Sequence, residues 1–154
     1  MPREAVLRLE QFLPYRLSVL ANTVSAAIAA AYAERFRLSI PEWRVLAILA
    51  CTPHLSAAEV AERTAMDKVA VSRAVAALLR VRRLRRTIAR GDRRRSVLSL
   101  SHTGERIYAQ VVPFARAYER SLLEGFTRGQ LQRLDRMLRE LQVRAMRSDR
   151  LRSA

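Results

Sequence analysis

Apolar residues return at every third or fourth position from residue 13 onward. Leu13, Leu17, Leu20, Val24, Ile28 and Ala31 share one stripe, which predicts a long amphipathic helix ending near Phe36. Pro14 suits the first turn of that helix, and residues 3 to 12 predict a short helix ahead of it. Ser39-Ile-Pro-Glu42 has the form of a capping box. It opens a second helix through Trp43, Val45, Leu46, Ile48 and Leu49, which Thr52-Pro53 ends. Ser56-Ala-Ala-Glu59 is a second capping box, opening a short helix to about Arg63. After the break Thr64-Ala65-Met66, Asp67 caps the helix DKVAVSRAVAALLRVRRL. Its buried stripe is Val71, Val75, Leu78 and Leu79, which leaves Lys68, Val69, Ser72, Arg73 and Ala76 on the opposite face.

The period then changes. Arg85 to Arg90 and Arg95 to Ser101 predict paired strands with Gly91-Asp92 at the turn, Leu98 and Leu100 on one face and Ser99 and Ser101 on the other. Thr103 to about Gly125 carries Ile107, Val111, Phe114, Tyr118, Leu122 and Leu123 at helical spacing. Thr127-Arg-Gly-Gln130 is a third capping box, opening a helix through Leu131, Leu134, Leu138 and Leu141 that is expected to fray from Arg144. The order predicts a mainly α fold with a small β-hairpin wing. Residues 39–101 form a winged helix-turn-helix, flanked by helices in residues 1–38 and 102–154.

Half of the 154 residues are hydrophobic, enough for a core without disulfides. The formal net charge is +15, and Lys68 is the one lysine among 29 basic residues. Such a charge calls for a polyanionic partner, nucleic acid or an anionic membrane surface. The membrane alternative is disfavoured. No run reaches about 18 uninterrupted apolar residues, and no helix joins a basic face to a Trp- or Phe-rich one. RLSVLANTVSAAIAAAYA at residues 16–33 has the outline of a secretory signal, but Ser18, Asn22, Thr23 and Ser25 interrupt it and it starts late, so no cleavage is expected. Cys51 is the single cysteine; it suits a reducing cytoplasm and is expected to be a buried, inert thiol.

Two helices joined by a tight turn, the second with a slim and basic free face, are what a DNA major groove admits. At this point the chain resembles the MarR-type bacterial transcription regulators, over roughly residues 10 to 145. The resemblance rests on PEWRVLAIL, SAAEVAERTAMDKVAVSRAVAALL and the wing DRRRSVLSLSHTGE. Asp92 and Arg94 fill the family's Asp-x-Arg. Leu100-Ser101-His102-Thr103-Gly104 fills its Leu-Thr-x-x-Gly, with Ser101 in the usual threonine place. The resemblance implies a homodimer with interlaced terminal helices, a recognition helix from each protomer in a major groove, and a wing arginine in the adjacent minor groove. It also implies repression relieved by a small molecule, often an aromatic acid.

On that reading Arg94 enters the minor groove, where the negative potential is strongest. Asp92 orients it by a forked carboxylate–guanidinium pair, and Arg90, Arg93 and Arg95 touch phosphates. Arg73 is the expected base reader, through two bonds to guanine. Lys68, Val69, Ala70 and Ser72 support it with phosphate and methyl contacts. Ser56 either brings its amide to a phosphate or serves only as a cap. Leu13, Leu17, Phe114, Tyr118, Phe126, Leu134 and Leu138 exceed what one small lobe covers and are assigned to dimerisation. An effector pocket with apolar walls and one cation would gather Tyr15, Arg16, Trp43 and His54. His54 and His102 form no metal signature. No phosphate loop, dinucleotide glycine pattern or nucleophile elbow is present, so neither a cofactor nor catalysis is expected. The expected function is therefore a sequence-specific double-stranded DNA-binding regulator, a cytoplasmic repressor on a pseudo-palindromic operator. The alternative is a non-specific nucleoid-type protein that coats DNA through charge alone.

Overall fold

The structure, a computed structural model, describes residues 7–64, 66–89 and 91–152, the side chains of residues 92, 93 and 149–152 excepted. Among the described residues, six helices and one antiparallel pair of strands follow in the expected order. They are α1 (Leu13–Phe36), α2 (Ile40–Cys51), α3 (Ala57–Thr64), α4 (Lys68–Arg80), β1 (Leu84–Ala89), β2 (Asp92–Leu100), α5 (His102–Leu122) and α6 (Arg128–Arg152). The chain divides into two compact units, residues 1–116 and 117–154.

The predicted capping devices form as hydrogen bonds. At α2 the Ser39 hydroxyl accepts from the Glu42 amide and the Glu42 carboxylate accepts from the Ser39 amide. Ser56 and Glu59 do the same ahead of α3, and Thr127 and Gln130 ahead of α6. Each pair satisfies two backbone donors that the first helical turn cannot.

Three local expectations are corrected. The helix expected over residues 3–12 is, in its described part, a single 3₁₀ turn at Leu9–Gln11 followed by extended Phe12. Pro14, which lacks an N–H, sits in the first turn of the next helix, so α1 starts afresh at Leu13. α4 ends at Arg80 rather than near Leu84, because the chain there closes in a Schellman turn: Arg82 is left-handed (φ 54°), its N–H donates to Leu79 O, and Arg83 N–H donates to Leu78 O. An arginine thus holds the conformation that glycine adopts without strain. α6 does not fray at Arg144 but continues to Arg152, with Arg144 paired to Glu140 and the Ser148 hydroxyl donating to the Arg144 carbonyl. Ser99, on the hairpin face opposite Leu98 and Leu100, is only 3% exposed. Leu55 bridges to Leu98 on the free edge of β2, and the His54 ring shares a 3.1 Å hydrogen bond with the Ser99 hydroxyl.

The hairpin pairs Leu84 with Leu100 through Ile88 with Ser96, and its register shifts between Ile88 and Ala89, where the strands turn toward the tip. The core lies under the helix-turn-helix: Val45, Leu46 and Leu49 of α2, Val60 of α3, Val71, Val75 and Leu78 of α4, and Leu98 of β2 are all essentially buried. Tyr32 and Phe36 of α1 and Val111 of α5 belong to the same cluster. Residues 1–38 and 39–101 therefore share one core rather than forming separate lobes.

Along α1 the polar interruptions are small and brief. By length and composition this helix is apolar enough to cross a membrane, its 18-residue window averaging a hydropathy of 1.2, which corrects the expectation drawn from uninterrupted runs. Its C-terminal turns are nonetheless built into the core, where the Tyr32 ring tilts against Trp43 (5.2 Å) and Trp43 stacks on Tyr108 of α5 (5.6 Å).

Candidate nucleic-acid interface

The two faces of α4 separate as its periodicity requires. Val71, Ala74, Val75 and Leu78 are buried, while Lys68, Val69, Ser72, Arg73 and Ala76 are exposed and Ala70 is half-buried. Asp67 caps the helix, its Oδ1 accepting from the Ala70 amide at 2.8 Å. Arg73 has no ion-pair partner among the described residues, so its five donors face outward. The free face is narrow, apolar at Val69 and cationic at Lys68 and Arg73. It can approach a base edge closely while supplying donors.

Beside it stands the arginine-rich hairpin. Arg94 and Arg95 are exposed. Arg90, together with the side chains of Asp92 and Arg93, lies outside the described residues, and so does the expected fork between Asp92 and Arg94. Gly91 holds φ +90° with open space around it, a turn conformation natural to glycine.

Two of the residues assigned to phosphates also have partners within the chain. Arg95, expected on a phosphate, places its guanidinium nitrogen 2.5 Å from both oxygens of Glu59. The Ser56 amide, the other phosphate candidate, is already donated to the Glu59 carboxylate at 2.7 Å. The Ser56 amide, the Arg95 guanidinium and the Ser56 hydroxyl together lower the Glu59 carboxyl to a pKa of about 2. Glu59 is thus the cap of α3 and the tie between α3 and the wing. The sequence shows its capping role; the tie is invisible there, since 36 positions separate it from Arg95.

The four effector candidates do not converge. Trp43 lines a cavity of about 190 Å³ with Ser25, Ile28, Tyr32, Ile40 and Arg44, and a shallow one with Cys51 and Arg63. His54 lines two others, one with Arg85, Ser99, Glu105 and Tyr108 and one with Thr87, Ile88 and Arg95. Tyr15 is exposed on α1 with Arg16 and lines none of these. The turn after α2 carries His54 toward the wing, away from the Trp43 face. The cavity on that face has one unusual feature: the buried Tyr32 hydroxyl has no hydrogen-bond partner among the described residues, and burial raises its pKa. Cys51, expected to be buried, is exposed at the C-terminal end of α2. Among the described residues no cluster of three or more His, Cys, Asp or Glu side chains could hold a metal ion.

The residues assigned to dimerisation are half-buried or exposed: Leu13 and Leu17 on α1, Phe114 and Tyr118 on α5, Leu134 and Leu138 on α6, and Phe126 just before it. Phe114 also has an intrachain role, with its ring edge-on to Phe36 at 5.9 Å and under the Arg35 guanidinium at 4.8 Å.

Comparison with known proteins agrees with this architecture. Residues 38–95 match the MarR family. A MarR/EmrR family transcriptional regulator from Acinetobacter sp. ADP1 superposes with a TM-score of 0.85 at 24% identity, over 92% of this chain and 99% of that one. A MarR family regulator from Silicibacter pomeroyi DSS gives 0.75 at 26% identity, over 86% and 88%. The PcaV regulator from Streptomyces coelicolor, solved in complex with its natural ligand, gives 0.72 at 21% identity, over 92% and 99%. Comparison with curated proteins finds no match. The match spans the helix-turn-helix and the wing tip, and the likeness in fold extends over nearly the whole chain, so the chain has the winged helix-turn-helix fold of these regulators.

Proposed function

We propose that the protein is a sequence-specific double-stranded DNA-binding transcription regulator, a cytoplasmic homodimeric repressor acting on a pseudo-palindromic operator. The observation that carries this reading is the free face of α4. It is slim, partly apolar at Val69, and cationic at Arg73, beside a separate arginine hairpin. A protein that coats DNA through charge alone needs no such face. In this reading the exposed apolar surface of α1 meets a second copy of the chain rather than lipid. Half-sites about 10 base pairs apart, centre to centre, would then match the two recognition helices.

Relief by a small molecule is part of the proposal. The Trp43 cavity offers apolar walls, the Arg44 cation and the unpartnered Tyr32 hydroxyl, a set suited to an acidic aromatic. That PcaV was solved with a natural ligand supports looking for one here. Quenching of Trp43, the single tryptophan, by hydroxybenzoates would reveal binding.

The test of the main reading is an anisotropy titration at physiological salt. It compares the duplex upstream of the protein's own gene, and duplexes selected from a random library, with scrambled duplexes of equal composition. A preference of about 1000-fold supports a specific regulator. Equal, salt-sensitive binding to every duplex overturns it in favour of general DNA coating.

A further inference from the structure

Arg83 sits in the corner between α4 and β1, and four elements meet on it. Its guanidinium donates to Phe36 O at 2.8 Å and to Arg37 O at 3.3 Å. These carbonyls belong to the C-terminal end of α1, where a helix leaves acceptors without donors and favours a cation. Arg37 is itself the left-handed C-cap, at φ 49°. The end of α1 is therefore closed by a side chain from the helix-turn-helix region.

The main chain of Arg83 is held as firmly. Its N–H donates to Leu78 O of α4 at 2.8 Å and its carbonyl accepts from the Ser101 amide at 3.1 Å. The Ser101 hydroxyl donates to Arg82 O at 2.6 Å and accepts from the Gly104 amide at 3.0 Å. Gly104, in the first turn of α5, lies so near that a Cβ there would stand 2.0 Å from the Arg83 carbonyl oxygen. The corner is thus bound to α5 through its backbone and to α1 through its side chain.

This corner is also the pivot of α4. The 13 residues of α4 span about 20 Å, so a tilt of about 5° at the C-terminal end moves the N-terminal end by about 1.7 Å. A shift of that size is enough to break a bidentate contact to a base.

We propose that Arg83 is a positioning residue for DNA recognition: by locking the end of α1 to the α4–β1 corner, it fixes the angle at which each protomer presents its recognition helix. The proposal rests on the reading of the chain as a DNA-binding homodimer. Lysine replaces the function only in part, because a single ammonium cannot span two carbonyls as a planar fork does.

The exposed native Cys51 on α2, a helix packed in the same core as α4, supplies the probe. A nitroxide placed there reports the separation of the two DNA-binding regions across the dimer, by double electron–electron resonance on the full chain without DNA. Wild type is expected to give one narrow distance distribution. Arg83→Met keeps the apolar stem and removes every donor; it is expected to broaden that distribution about twofold, and Arg83→Lys to recover part of the width. A lower Tm in Arg83→Met with an unchanged distribution would mark the bond as merely stabilising and overturn the proposal. Absence of any dipolar signal in wild type would overturn the dimer reading and the proposal with it.

Discussion

Leu46 and Leu138 occupy equivalent places in the sequence pattern, each an apolar position on a periodic helix stripe, yet their fates differ. Leu46 on α2 is 0% exposed, and Leu138 on α6 is 48% exposed. The same contrast separates the helix-turn-helix from the outer helices. Around α2, α3, α4 and β2 the apolar side chains close on one another, and capping boxes close the polar ends. Along the N-terminal turns of α1 and along α6 the apolar positions recur too, but many of those side chains, such as Leu13, Leu17, Leu134 and Leu138, are exposed. Periodicity reports that a face is apolar; it does not say which molecule buries it.

The largest effects should separate the two regions. Leu46→Ala is expected to cost about 2–5 kcal/mol, by lost burial and the cavity left behind, at any protein concentration. On the proposed dimer, Leu138→Ala should lower Tm by an amount that shrinks as the protein is diluted, because there the contact it removes would be with a second chain. Equal and concentration-independent losses from the two would break the comparison. Next comes Gly104→Ala. Its methyl must push backbone against the Arg83 carbonyl and is expected to cost about 2–3 kcal/mol in denaturant unfolding. A neutral result would mean that this corner of the closed region is soft.

Two arginines of the wing extend the contrast to charge. Arg95 pairs with Glu59, and Arg94, also exposed, is the residue proposed to enter the minor groove. Arg94→Ala is expected to reduce the slope of log affinity against log salt by about one, and Arg95→Ala to leave it unchanged. Titrations on one duplex at several salt concentrations decide this, and equal slopes would return Arg95 to the phosphates. A smaller, opposite effect is expected at Arg82, whose left-handed backbone glycine adopts without strain: Arg82→Gly should raise stability by about 1 kcal/mol.

The smallest effect concerns acid. The Glu59 carboxyl titrates at about 2 in the folded chain against an ordinary value of 4.5. The ionised form is the one that folding favours. Its contribution is present in full above the ordinary value and fades as pH falls from there toward about 2. Glu59→Gln should flatten that part of the Tm–pH curve. An unchanged acid limb would show that the tie between α3 and the wing contributes nothing measurable, as exposed ion pairs often do.

Much was legible in the sequence because it is set by neighbours along the chain. The three capping boxes, the two faces of α4 and the hairpin depend on residues within a few positions of one another, and each formed as read. Arg73 could be assigned to the exposed face of α4 for the same reason. What the sequence could not tell was which distant group each polar side chain would meet. Arg95 was read with its neighbouring arginines, but packing brings it to Glu59. Arg83 is one more arginine in a run of them until the fold sets it against the end of α1. Tyr15, Arg16, Trp43 and His54 share an expected chemistry, yet the turn after α2 sends His54 to the wing and Trp43 to α1. Local hydrogen bonding and periodicity act over one or two helical turns and leave a trace in residue order. Pairing across tens of residues depends on where the closed core places each element, and only the tertiary structure decides it.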